Sequence, residues 1–411
     1  MKEGNDLPAD KKFQTVDEQI KLLETRDLQI DDSFIARLHL LEKNYFNLIN
    51  GFETLLLEDP KNPPKKYVKK NFNDFLGLHE FDMEFSSIIF RKISEFETKL
   101  KASIAYHFCK NHCSNLSDNN NYIDVNSYKI PLLTDGPKEY VSYFYNAADP
   151  RKTHKLFRTN YCFNGRLRGN FDGVVTYLRS NQTKIEGVFK GRFGSTSIRE
   201  VSGSCIFYNS NEPKLFADLQ AITTNSGVRI TVPINMTKDE RILGLSYIDE
   251  CKIKYRYINE YNNPPFWVII KTLMLNDLIV LLYGLKKCTF DDVLKDFNLK
   301  PNDKEKFLNS LEIIRELRNT CAHFELVNRF RTPPKLKLNA RLISELNLSH
   351  GRSQYIIKLY DVLKVFGQYV DLFDLKSFLL NYYHQQKKAN KEDIAISLLN
   401  RMGNANINDW I

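Results

Sequence analysis

Residues 313–329 read IIRELRNTCAHFELVNR, and the run Arg318-Asn319-Thr320-Cys321-Ala322-His323 inside it decides how the chain is read. It sets an arginine, an asparagine and a histidine within one and a half turns of an expected helix. Arginine offers a planar fork of donors that fits a phosphate and stays charged at any working pH. Histidine is the side chain whose unperturbed pKa of ~6.5 suits proton transfer near neutrality. Asn319 and His323 are four residues apart and stack on one helix face, where the amide could orient the imidazole. Arg318 lies about 140° from His323 around an ideal helix, so it must reach round or the helix must distort. Arg315 adds a second cation near the same face. Taken alone, the spacing fits equally a buried polar helix segment whose histidine is satisfied by a neighbour, and one histidine cannot serve as acid and base in one step.

The surroundings weigh against that bland reading. The motif string is similar to the signature of the HEPN ribonuclease superfamily, in its Abi-like abortive-infection branch. Residues 16–52, VDEQIKLLETRDLQIDDSFIARLHLLEKNYFNLINGF, resemble that family's opening helices, with the patch Asn44-Tyr45-Phe46. Residues 78–108, LHEFDMEFSSIIFRKISEFETKLKASIAYHF, resemble its long central helix, and residues 264–285, PPFWVIIKTLMLNDLIVLLYGL, the segment before the catalytic helix. The resemblance covers residues 14–110 and 245–330, and the C-terminal helices less clearly. It implies a mainly α-helical bundle in which two copies of the motif, from two subunits, meet in a cleft on RNA. The implied chemistry needs no metal or cofactor: the RNA 2′-hydroxyl attacks its own phosphodiester, leaving a 2′,3′-cyclic phosphate and a 5′-hydroxyl. Arg318 and His323 match the two defining positions and Asn319 the common polar one, and a homodimer supplies the second histidine. Many Abi-like relatives carry another polar residue after the motif histidine, where this chain has Phe324. Some HEPN toxins carry a tyrosine four residues past the histidine that a partner transferase modifies; here that position is Val327, which removes that route of control.

Composition sets bounds. At 411 residues and 42% hydrophobic content the chain can bury a real core, which excludes a disordered protein. It contains no apolar run of membrane-spanning length and its first dozen residues are polar, so neither a membrane span nor a secretory signal is expected. Seven irregularly spaced cysteines in a chain of this size read as reduced thiols, and the expected location is cytoplasmic. The net charge of +9 is concentrated: residues 151–200 hold eleven Lys and Arg against three Asp and Glu. Aromatic and glycine residues interleave with those cations, a mixture that can neutralise phosphates and stack unpaired bases. Arg158, Arg166, Arg168, Lys190 and Arg192 are the candidate RNA-binding residues there, with Arg315 beside the motif. An antiparallel sheet with aromatics inside and a solvated basic face would show the same pattern.

Three stretches follow from the change of character along the chain. Residues 14–114 form an N-terminal helical part, with Ser33 as an expected helix cap and a long helix at about 78–110. Residues 115–245, rich in Asn, Ser, Gly and Tyr with alternating strand-like segments, read as an inserted β-rich basic subdomain. Residues 246–411 return to helical spacing and carry the motif, on a helix expected over 304–327. Asp291, Asp292 and Pro301 are expected to mark turns before it, and Pro333 and Pro334 its end.

His107, Cys109, His112 and Cys113 lie close together, but zinc is usually held by two separated pairs, so no metal site is assigned. The expected function is a metal-independent endoribonuclease acting as an abortive-infection or toxin effector, restrained by an antitoxin RNA or protein. The rival, from another class, is a non-catalytic RNA-binding protein on the same helical scaffold.

Overall fold

The computed structural model describes residues 13–123, 127–128, 247–349 and 356–410, with the backbone of segments between 157 and 235. Its helices follow in chain order as α1 (Val16–Thr25), α2 (Ser33–Lys43), α3 (Gly51–Leu56), α4 (Phe72–His112), α5 (Tyr247–Lys254), α6 (Arg256–Asn259), α7 (Phe266–Ile269), α8 (Leu275–Gly284), α9 (Lys287–Asp296), α10 (Lys304–Ala322), α11 (Ala340–Leu346), α12 (Leu359–Phe366), α13 (Phe373–Lys388) and α14 (Glu392–Met402). The fold is mainly helical, as the sequence leads one to expect. Of the stretch between α4 and α5 the structure gives backbone pairing: segments from Phe157–Phe163 to Ile230–Asn235 pair as consecutive antiparallel neighbours. The expectation of an inserted basic subdomain over 115–245 rests on side chains that lie outside the described residues. It is taken up with the proposed function.

The chain divides into two compact units, residues 1–96 with 309–411, and residues 97–308. In the first unit, α1 opens with a capping box in which the Thr15 hydroxyl accepts from Glu18 N and the Glu18 carboxylate accepts from Thr15 N. Asp32, not Ser33, caps α2: its carboxylate accepts from Phe34 N at 2.9 Å and Ile35 N at 3.1 Å. A carboxylate at this point also favours the positive end of the helix, which a serine hydroxyl does not. The part of α4 in this unit buries Phe75, Leu78, Phe81, Phe85, Ile89, Ile93 and Phe96, spaced every three or four residues so that they share one face. Phe81 stacks on Phe85 and Phe378 and lies 4.3 Å, centroid to centroid, from Tyr382 of α13. Phe96 meets Phe366 of α12 edge-on. α10 enters this core through Leu311, Ile314 and Leu317, all buried.

In the second unit, Leu100, Ile104 and Phe108 continue the apolar face of α4. Phe108 and Tyr122 both pack on Phe266, and the Tyr122 hydroxyl donates to Pro264 O at 2.7 Å. Buried Leu278, Leu281 and Leu282 of α8 and Phe290 and Leu294 of α9 extend this core. Asp291 and Asp292 lie inside α9 and mark no turn. α10 ends at Ala322, five residues before the expected 327 and well short of Pro333.

Candidate functional site

The candidate site is the C-terminal end of α10. Ile314, Leu317 and Cys321 turn inward and are buried. On an ideal helix Arg318, Ala322, Arg315, Asn319 and His323 fall within an arc of about 140°, and those five are half-buried or exposed. The backbone bond from His323 N to Asn319 O, 3.0 Å, carries the helical pattern to the histidine. The structure therefore brings Arg318, Asn319 and His323 together on the last turn.

The side chains divide their contacts differently from the expectation. Asn319 Oδ1 accepts from Arg318 Nη1 at 3.4 Å, so the amide addresses the arginine, and it is the Asn319 carbonyl that meets His323. The Arg318 guanidinium lies 5.9 Å from the centroid of the Phe90 ring on α4, within cation–π range. Arg315 Nη2 sits 2.7 Å from Glu316 Oε1, so a carboxylate already faces the second cation. His323 is exposed at the first position past the helix. Of the basic residues expected to grip RNA, Arg158, Arg166, Arg168, Lys190 and Arg192 have side chains outside the described residues.

The turn that ends α10 explains where the histidine stands. Phe324 has φ of 55° and is 74% exposed. Glu325 N donates to Thr320 O at 3.1 Å and Phe324 N to Cys321 O at 3.2 Å, which is the Schellman pattern with its left-handed residue at Phe324. Glycine usually fills that place because a side chain there is strained.

Beyond the turn a buried polar network fixes the exit. Asp82, on the inward face of α4 and 1% exposed, accepts from Val327 N at 3.0 Å, Asn328 N at 2.8 Å and Asn328 Nδ2 at 2.7 Å. Asn328 Oδ1 in turn accepts from Arg401 Nη1 at 3.1 Å, and the same nitrogen donates to Gly51 O at 2.9 Å. Burial raises the Asp82 carboxyl to about 6, against the pull of those hydrogen bonds, and burial lowers the Arg401 guanidinium to about 10. Leu326 packs so closely on Gly51 that a Cβ there would come within 2.6 Å of its Cδ1. Sequence reading missed Asp82, Asn328, Arg401 and Gly51. The one available signal was Asp82 itself, an acid four residues after Leu78 on the apolar stripe.

Cys321, between the arginine and the histidine, is no nucleophile: burial pushes its thiol up to about 11. His107 meets Asp296 at 2.9 Å, and Ser103 donates to the same carboxylate oxygen. Among the described residues no group of three His, Cys, Asp or Glu is placed to hold a metal ion, and no helix is long and apolar enough to cross a membrane.

A family model described as Abi-like protein matches residues 39–170 and 183–327, well over half of the chain and including the whole α10 end. No curated protein and no solved structure matches the chain.

Proposed function

The chain belongs to the Abi-like protein family, and from that premise we propose that it is an abortive-infection effector whose weapon is RNA cleavage by HEPN-type chemistry. The observation that carries this reading is the end of α10, which sets a half-buried Arg318 and an exposed His323 within one and a half turns, just before an exit that Asp82, Asn328 and Arg401 hold. Arg318 binds the scissile phosphate and offsets the charge that grows on its oxygens, a role worth several kcal/mol in comparable sites. His323 takes the proton from the 2′-hydroxyl as the P–O2′ bond forms. The P–O5′ bond breaks, and the leaving oxygen takes a proton from the partner subunit's His323. The products are a 2′,3′-cyclic phosphate and a 5′-hydroxyl.

The same reading makes the protein a cytoplasmic homodimer, kept silent by an antitoxin RNA or protein. Residues 115–245 act in it as an inserted β-rich basic subdomain that grips the RNA. Asn319 positions Arg318, to which its amide is bonded. The rival is an RNA-binding scaffold without turnover.

Labelled RNA incubated with the protein in EDTA tests both. Cutting that leaves cyclic phosphate ends, and that falls at least about 100-fold in His323→Ala, is the expected outcome. Equal cutting by the variant, or binding without cutting by the wild type, removes the enzyme reading.

A further inference from the structure

The second unit contains a groove that the motif does not use. It is lined by α4 from Thr98 to Lys110, by Cys113 just past it, and by Trp267 and Lys271, and has a volume of about 1210 Å³. Small residues line it, Ala102, Ala105 and Cys109, together with two exposed aromatics, Tyr106 at 65% and Trp267 at 51%. Among the described residues three lysines line it, Lys101, Lys110 and Lys271, and no aspartate or glutamate does. Lys101 is held by Glu97 at 2.8 Å, while the Lys271 ammonium lies 5.3 Å from the Tyr257 ring centroid.

A groove meant for an apolar helix would have no use for a row of lysines along it. Exposed aromatic rings suit stacked bases, and lysines beside them suit a phosphate chain. We infer that this groove binds single-stranded nucleic acid, with bases stacked on Trp267 and Tyr106 and the backbone drawn along Lys110 and Lys271. The inference stands on the groove's own chemistry and does not require that Arg318 and His323 cut.

The chain has two tryptophans, and the other, Trp410, is buried, so tryptophan emission reads the groove directly. A 12-nucleotide oligouridylate is titrated into full-length His323→Ala protein, which leaves the probe uncut, and into the same protein carrying Tyr106→Ala or Lys271→Glu. Saturable quenching is expected, weakening with salt, and each added substitution loosens binding about fivefold or more. Oligouridylate that binds without changing the emission overturns the inference, as does equal affinity in both variants. So does an acidic amphipathic peptide that saturates the groove while oligouridylate leaves the emission unchanged. Quenching by a wild-type protein that cuts nothing keeps the groove and removes the ribonuclease. Full cutting with no quenching does the reverse.

Discussion

Phe324 is the residue on which the shape of the site turns. Its left-handed backbone, one residue after His323, stops the helical ladder at the histidine. An L side chain in that conformation costs about 1 kcal/mol or more, and with its ring largely exposed Phe324 recovers little through burial. Phe324→Gly is therefore expected to raise stability by about 1 kcal/mol, seen as a higher urea midpoint at unchanged slope. A midpoint that stays or falls would show that the ring contributes packing worth more than the strain. The sequence offered no sign of this turn, since a phenylalanine does not announce a left-handed cap as glycine does. Sequence spacing therefore carries the helix on to residue 327, five residues past its end. The place of Arg318 and His323 at one helix end, by contrast, follows from their spacing.

At the scale of elements, α4 and α10 were visible from apolar residues three and four apart, and their joint was not. Asp82 and Asn328 are separated by 246 positions, and no local pattern links them. Asp291 and Asp292 misled for a related reason: side chains that often mark turns sit here on a helix that closes its own hydrogen bonds. The joint predicts a pH dependence. Asp82 holds its proton more tightly folded than unfolded, so its contribution is full below the usual carboxylate value of 3.8 and is lost as pH rises through about 6. Asp82→Asn removes that titration and leaves one oxygen to serve three donors, a loss of about 1–3 kcal/mol. Denaturation of both proteins should show the wild type gaining on the variant as pH drops from 7 to 5. A constant gap between them would mean that Asp82 titrates at its ordinary value.

For the whole molecule the decisive number is one histidine per motif. If acid and base are both His323, a dimer that pairs wild type with His323→Ala is dead. Equal co-expression of the two chains then leaves about a quarter of the wild-type cutting, where independent subunits would leave about half. Measuring that fraction separates a shared site from two separate ones. The thiol between the two motif residues has a consequence of another kind. Cys321 is sealed in the core while Cys288 is exposed, so an alkylating reagent marks Cys288 at once and Cys321 only when the end of α10 opens. The lag between the two labels is a clock for the readiness of the site, and it runs in the absence of any RNA. An inhibitor that silences the protein by clamping that turn would slow the clock, and one that merely covers the face would leave it ticking.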